Sequence, residues 1–321
     1  DSQATLVTLV ASTRPYALKF QVADRTLLAV NLRVETHSVS VAHADSVTLE
    51  PPAVDSLQHG AVGFLYRACP LEAGSARLLR IGPWLRYVVQ SYGRCSIDLR
   101  QTFDAYRGKF SSKTRSTLLR KVRKWEEFTS EPVRWEVFRS PEELRRFHPL
   151  ARQVSSRSYQ ERLLDAGLPG DQAFINEMSR LASQDSVRGY ILFHGTRPVS
   201  YLYCPVIDGV VIYEHLGYDP DYLPHSVGTI LQWHALEDLF AERRFSHFDF
   251  TEGETDHKRL FATRIEPSAN VLFVRFSALR WCLLYAHSRF DAVVAQASSL
   301  ATRWGLKAKL RRWQRFGRSS A

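Results

Sequence analysis

The sequence predicts an α+β protein, and three observations predict it. Hydrophobic residues fill 45% of the 321 positions and aromatics 12%, enough for packed cores and too much for a disordered or fibrous chain. Runs rich in β-branched and aromatic residues alternate with amphipathic helical runs from residue 111 onward. The net charge of +10 is not spread evenly: residues 107–124 hold eight Lys/Arg and no acid, and 303–318 hold seven and no acid. Without those fifteen, 28 basic residues face 33 acidic ones, so two local stretches carry the positive field. At about 150 residues per domain, the length allows about two domains.

The first third reads as strands. Residues 16–22, 26–36 and 61–70 carry aromatic and β-branched side chains between turn signals, and 43–60 is a polar, Pro-containing loop. Residues 111–127 form a helix that Ser111 or Ser112 can cap, with Leu118, Leu119, Val122 and Trp125 on one face. Ser140-Pro141-Glu142-Glu143 opens a second helix: a cap, a proline in the first turn, then acids at the positive helix end. A third covers residues 171–184. Residues 187–194, 199–207 and 210–218 are then three antiparallel strands, the last two joined by the hairpin signal Asp208-Gly209. A loop leads into a helix over 229–243. A strand over 245–250, a short helix near 256–262 and a strand over 269–276 complete the order. The run 277–300 is apolar enough to dock as a helix, and 303–318 places Leu306, Leu310 and Trp313 on one face among cations.

Cys69, Cys95, Cys204 and Cys282 form no CxxC pair, which argues against zinc ribbons and points to a reducing compartment. No HExxH or cysteine ligand spacing supports a metal site. There is no signal-peptide pattern and no run of about 18 apolar residues. The expected location is cytoplasmic, with peripheral contact to the inner membrane through the basic C-terminal helix.

The element order helix, helix, three strands, helix, strand, helix, strand resembles the Gcn5-related N-acetyltransferase (GNAT) layout. Residues 106–127 (YRGKFSSKTRSTLLRKVRKWEE) are similar to the basic helix of the acetyltransferases linked to cellulose and capsule biosynthesis. Residues 225–240 (HSVGTILQWHALEDLF) and 245–263 (FSHFDFTEGETDHKRLFAT) resemble their second signature: a small-residue turn and helix, then Asp-Phe, Gly, and Lys followed by an aromatic. That branch is related to the Fem peptidoglycan aminoacyltransferases, which carry two GNAT-like halves, and includes bacterial ceramide synthases. The similarity covers about residues 105–275 well and the first 100 loosely. Val227 stands where the usual turn has proline.

The resemblance implies a partial N-terminal GNAT-like half over 1–105, an acyltransferase domain over 106–276 and a basic helical tail over 277–321. It implies an acyl-CoA co-substrate with its pyrophosphate at the turn His225, Ser226, Val227, Gly228 and Thr229, where a helix N-terminus offers free N–H groups. An ordinary Ser226-capped helix is the alternative. Glu214 is the candidate base on the third core strand, with His215 as its alternative on the opposite face and His257 as a further proton acceptor. Asp249, Glu252 and Lys258 are candidates for substrate contact. Lys258 would hold a phosphate or anionic head group, while Asp249 is also readable as a structural cap. Lys113 and Arg115 on the basic helix would meet phosphates of the acceptor or of coenzyme A. No serine or cysteine nucleophile is needed, and no GxSxG elbow occurs. The acceptor reading is a lipid amine such as a sphingoid base. Capsule or exopolysaccharide sugars, aminoacyl transfer from tRNA and a non-catalytic GNAT-like module are the alternatives.

Overall fold

A computed structural model describes residues 8–22, 25–42, 49–53, 56–57, 60–70, 74–158, 161 and 167–303. Two compact units divide the chain: residues 1–39, 46–91 and 268–321 form one, and 40–45 and 92–267 the other.

In the first unit, β1 (Thr8–Val22) and β2 (Arg25–Val39) make a long antiparallel hairpin. β2 pairs in parallel with β3 (Gly63–Pro70), and β3 pairs antiparallel with β12 (Arg264–Arg275) from Ser268 onward. β4 (Leu78–Ile81) pairs with the first part of β5 (Trp84–Asp98). Two apolar clusters pack against these strands: Phe64, Tyr66, Trp84 and Phe273 in one, Leu18, Val34, Leu85, Tyr87 and Leu272 in the other. The C-terminal helix α7 (Ala278–Arg303) closes the second cluster with Leu283 and Leu284.

The division does not follow boundaries at 105 and 276, because β3 recruits β12 from the far end of the chain. Among the described residues, α7 is the only long helix of this unit. Residues 304–321, most of the basic tail, lie outside the described residues. β4 and β5 had no counterpart in the sequence reading.

The second unit follows the expected order closely. α1 (Phe103–Gly108) and a strand over Arg134–Phe138 are additional. α2 (Ser112–Thr129) is capped by Ser111, whose hydroxyl accepts from the Thr114 amide. β6 (Arg134–Phe138) precedes α3 (Pro141–Ser155), which carries a full capping box between Ser140 and Glu143. α4 (Gln172–Ser183) is capped by Asp171. β7 (Val187–His194) and β8 (Arg197–Ile207) pair antiparallel with β6 on the outside. β9 (Val210–Ile212) turns back on β8 and runs parallel to β11 (His247–Asp249), which pairs with the end of β5.

β7 and β8 are buried on both faces. Tyr190, Leu192, Leu202 and Cys204 join the core under α1, α2 and α5 (Val227–Glu242). Ile191, Phe193, Tyr201 and Tyr203 join the core under α3 and α4. This is why these runs read as continuous apolar stretches. In α2, Leu118 and Trp125 are buried as expected, whereas Leu119 is 42% exposed, one position off the inward stripe.

The expected strand over 210–218 is broken. Between Val211, opposite Val206, and His215, opposite Tyr203, the outer strand takes four steps where β8 takes three. Glu214 donates its amide to the Tyr203 carbonyl, which His215 also faces. The extra residue is a β-bulge, and it bends β10 (His215–Tyr218) away from β11.

Candidate active site

The bulge opens the site. β9 and β11 stay paired through Ile212 and Asp249, and the Tyr213 amide makes one last bond to the Asp249 carbonyl at 2.9 Å. Beyond that point β10 stays with β8 while the chain after β11 turns off into a loop. A cavity of about 450 Å³ fills the gap, well within the size range of small-molecule sites. Tyr213, Leu216, Tyr218 and Leu223 give it an apolar wall; Ser226, Gly228, Thr229, Thr255, His257 and Lys258 give it a polar end. The Asp219 amide bonds to Val199 on β8, so alternation along β10 turns the Leu216 amide the other way, into the gap.

The polar end is the start of α5. A 3₁₀ turn over Pro220–His225 delivers the chain to Ser226, which takes the left-handed conformation at φ +57°. Its carbonyl accepts from the Thr229 and Ile230 amides at 2.9 and 3.2 Å, which leaves the Val227 and Gly228 amides ahead of the helix ladder. The Ser226 hydroxyl makes no capping bond, so the ordinary Ser-capped helix expected as an alternative is not what forms. Val227 is buried in the core beneath the turn; at this position an apolar side chain anchors the helix start. Gly228 needs neither a positive φ nor tight packing, since a Cβ there would meet only Tyr218 at 3.7 Å. His225 lies outside the cavity, stacked on Phe128 at 3.9 Å between ring centres.

Of the signature Asp249, Gly253 and Lys258, only Lys258 lines the cavity. Asp249 is 3% exposed and held by Arg94 (Nη2–Oδ2 2.5 Å, Nε–Oδ1 3.2 Å), and its Oδ1 also accepts from the Thr251 amide at 2.9 Å. It is therefore an interior carboxylate that fixes the end of β11, and the expectation that it meets substrate is corrected. Thr251 and Gly253 both have positive φ, which makes the loop tight. The Lys258 ammonium donates to the Phe250 and Glu252 carbonyls at 2.7 and 2.5 Å and gathers that loop around itself. Its side chain still lines the cavity. Glu252 contributes through its carbonyl to this loop. Lys258 sits at the base of α6 (Asp256–Phe261) next to His257, whose imidazole is pushed down to about 4 by burial and by the charges of Lys121 and Lys258. His257 is neutral at pH 7 and is a weak proton acceptor.

Lys121 is the cation the sequence reading passed over in favour of Lys113 and Arg115. Its Nζ lies 3.4 Å from Thr229 Oγ1, and burial lowers its pKa. Lys113 is exposed, and neither it nor Arg115 lines the cavity. The signal was available: Lys121 stands three residues after Leu118 and four before Trp125, on the inward face of α2. Arg94, on the unassigned strand β5, had no such signal.

Glu214 and His215 do not line the cavity. His215 packs against Phe174 of α4 and Tyr203, on the sheet face opposite Leu216, and burial lowers its pKa. Solvent reaches Glu214, yet protein crowds it; that desolvation, and then the Glu177 carboxylate on α4, raises its carboxyl above the usual range. The bulge puts both residues opposite Tyr203, so the simple alternation expected of them fails.

Among curated proteins none matches the chain by sequence. Among solved structures, FemX is 10% identical, with a TM-score of 0.49 over 84% of this chain and 90% of that one. A C-terminal DUF2156 domain, assigned to a lysylphosphatidylglycerol synthetase, from Agrobacterium fabrum is 12% identical, with a TM-score of 0.47 over 72% of each chain. The PaiA N-acetyltransferase from Thermoplasma acidophilum, solved with coenzyme A, is 12% identical, with a TM-score of 0.29 over 44% of this chain and 99% of that one. Residues 112–259 match the family described as Acetyltransferase (GNAT) domain. The helix and strand order around the β9–β11 gap agrees with that match, and the fold of this part of the chain is GNAT-like.

Proposed function

We propose that the protein transfers an acyl group from an acyl-CoA to the amine of a lipid, with a long-chain sphingoid base as the best fit. The observation that carries the donor assignment is the cavity itself: an apolar wall from β10 leading to the unladdered amides of α5. The Val227 and Gly228 amides would hold a phosphate at the helix start, with Lys121 beside them. The Leu216 amide would donate to the thioester oxygen as charge develops there. The acceptor nitrogen attacks the carbonyl carbon, the carbon–sulfur bond breaks, and the leaving thiolate takes the nitrogen's surplus proton to depart as the thiol. Glu214, outside the cavity but open to solvent and made more basic by its crowding and by Glu177, takes the ammonium proton before the nitrogen enters to attack.

A second reading has one observation in its favour. Lys113, Arg120, Arg123 and Lys124 form an exposed basic face on α2, which would suit an aminoacyl-tRNA donor. Titration with acetyl-CoA and palmitoyl-CoA, below micelle concentration, tests the choice through ligand-dependent thermal stability. Tight binding of palmitoyl-CoA alone supports a lipid acylation. Preference for acetyl-CoA moves the reading to saccharide acetylation, and binding of neither removes the acyl-CoA donor.

A further inference from the structure

We infer that the outward face of α7 lies flat in the interface of an anionic lipid bilayer. The inference deepens the lipid-acceptor reading and rests on it for its biological sense, but its observations belong to the first unit alone. One face of α7 is docked. Leu284 is buried, Phe290 meets Phe20 of β1 with ring centres 5.4 Å apart, and His287 bridges the Tyr87 hydroxyl (2.7 Å) and the Lys19 carbonyl (3.2 Å). Asp291 on this side pairs with Arg77.

The opposite face should be polar on a helix that merely covers a domain. It is not. Leu279 is 80% exposed, Val293 60%, Tyr285 54% and Leu300 50%, with Trp281 beside them. Helical spacing puts Leu279, Val293 and Leu300 together, with Tyr285 and Trp281 along one edge. Among the side chains the structure describes, Arg289 is the only charge on that face, and the only acid of α7, Asp291, is committed to Arg77. Leu28 on β2, directly across from Phe20 and 55% exposed, adds to the apolar surface beside the helix.

Charge complementarity selects the occupant. α7 runs directly into 303–318, with its seven Lys/Arg and no acid. A second copy of this segment carries the same cations and offers them no opposite charge. An anionic leaflet instead attracts them, at about 1 kcal/mol per cation near the surface. An apolar face with interfacial Trp and Tyr and a flanking polybasic segment is the composition of a helix that lies on a membrane.

The test is co-sedimentation of the full chain with phosphatidylglycerol/phosphatidylcholine vesicles and with phosphatidylcholine alone, in parallel with a Leu279→Glu/Val293→Glu variant. Both positions are exposed, so the variant should fold with unchanged Tm. The wild type is expected on the anionic vesicles, and the variant to partition roughly tenfold more weakly, or about 1.4 kcal/mol. The palmitoyl-CoA thermal shift should be equal in both. Equal partitioning of variant and wild type overturns the inference, as does absence of wild-type binding to either vesicle. Sedimentation equilibrium showing a wild-type dimer that the variant dissolves also overturns it, in favour of a second copy. Loss of the palmitoyl-CoA shift in both proteins with vesicle binding intact strikes the donor assignment and leaves the membrane face standing.

Discussion

Replacing Gly228 by alanine separates what the chain needs from what a ligand needs. The backbone at 228 is ordinary helix, and an added Cβ would touch only Tyr218 Cδ1, at 3.7 Å, an unstrained contact. Alanine is better than glycine in a helix by about 0.5–1 kcal/mol. The variant should therefore be as stable as the wild type or gain up to about 2–4 °C in Tm for a unit of this size. The methyl group, however, projects toward a cavity that Gly228 lines. A phosphate bound at the α5 start would be pushed off at least one amide. A hydrogen bond to a charged group contributes about 1.5–3 kcal/mol, so the Kd for coenzyme A should rise about 10- to 150-fold. Scanning calorimetry and isothermal titration with coenzyme A measure the two effects on one preparation. A Tm several degrees lower would mean that the glycine serves the fold. An unchanged Kd at full stability would mean that no phosphate binds the α5 amides, and the donor geometry proposed above would be refuted.

Other consequences follow from the same site. Lys121→Met removes a positive charge that depresses His257, so the imidazole pKa should rise from about 4 yet stay below 6.5 because burial is the larger cause; histidine proton NMR reads this, and no change would place Lys121 away from the cavity. Glu177→Gln removes the like charge that helps raise Glu214, lowering the pKa of the base. Activity requires the deprotonated carboxylate, so the acidic limb of kcat/KM should move to lower pH, and an unmoved limb would remove Glu214 as the base. Asp249→Asn removes the buried carboxylate that pairs with Arg94 and should cost about 3–5 kcal/mol in denaturant unfolding, much of it recovered in an Arg94→Met/Asp249→Leu double variant. A loss below 1 kcal/mol would show that the pair is not the anchor of β11.

Much of the second unit was legible in order and in kind because its elements carry local signals. Ser140-Pro141-Glu142-Glu143 announces a helix start by capping chemistry, and Asp208-Gly209 a hairpin by its turn preference, whatever surrounds them. The turn at 225–229 was legible as the start of a helix. The roles within the site were less so, since they depend on what each side chain faces. Asp249 reads the same in sequence whether it greets a substrate or an interior arginine, and Arg94 lies 155 residues away on a strand with no clear local signature.

The sequence by itself determined the α+β character, the position of α5 with the turn at its start and the two basic segments, because periodicity, caps and charge runs act over neighbouring residues. Only the tertiary structure decided that Glu214 and His215 share a bulge, that Lys121 rather than Lys113 reaches Thr229, and that β3 recruits β12. A bulge is a mismatch between two strands, an inward lysine is defined by the helix it packs on, and strand pairing joins residues some 200 positions apart. These are relations between segments, and no single segment carries them.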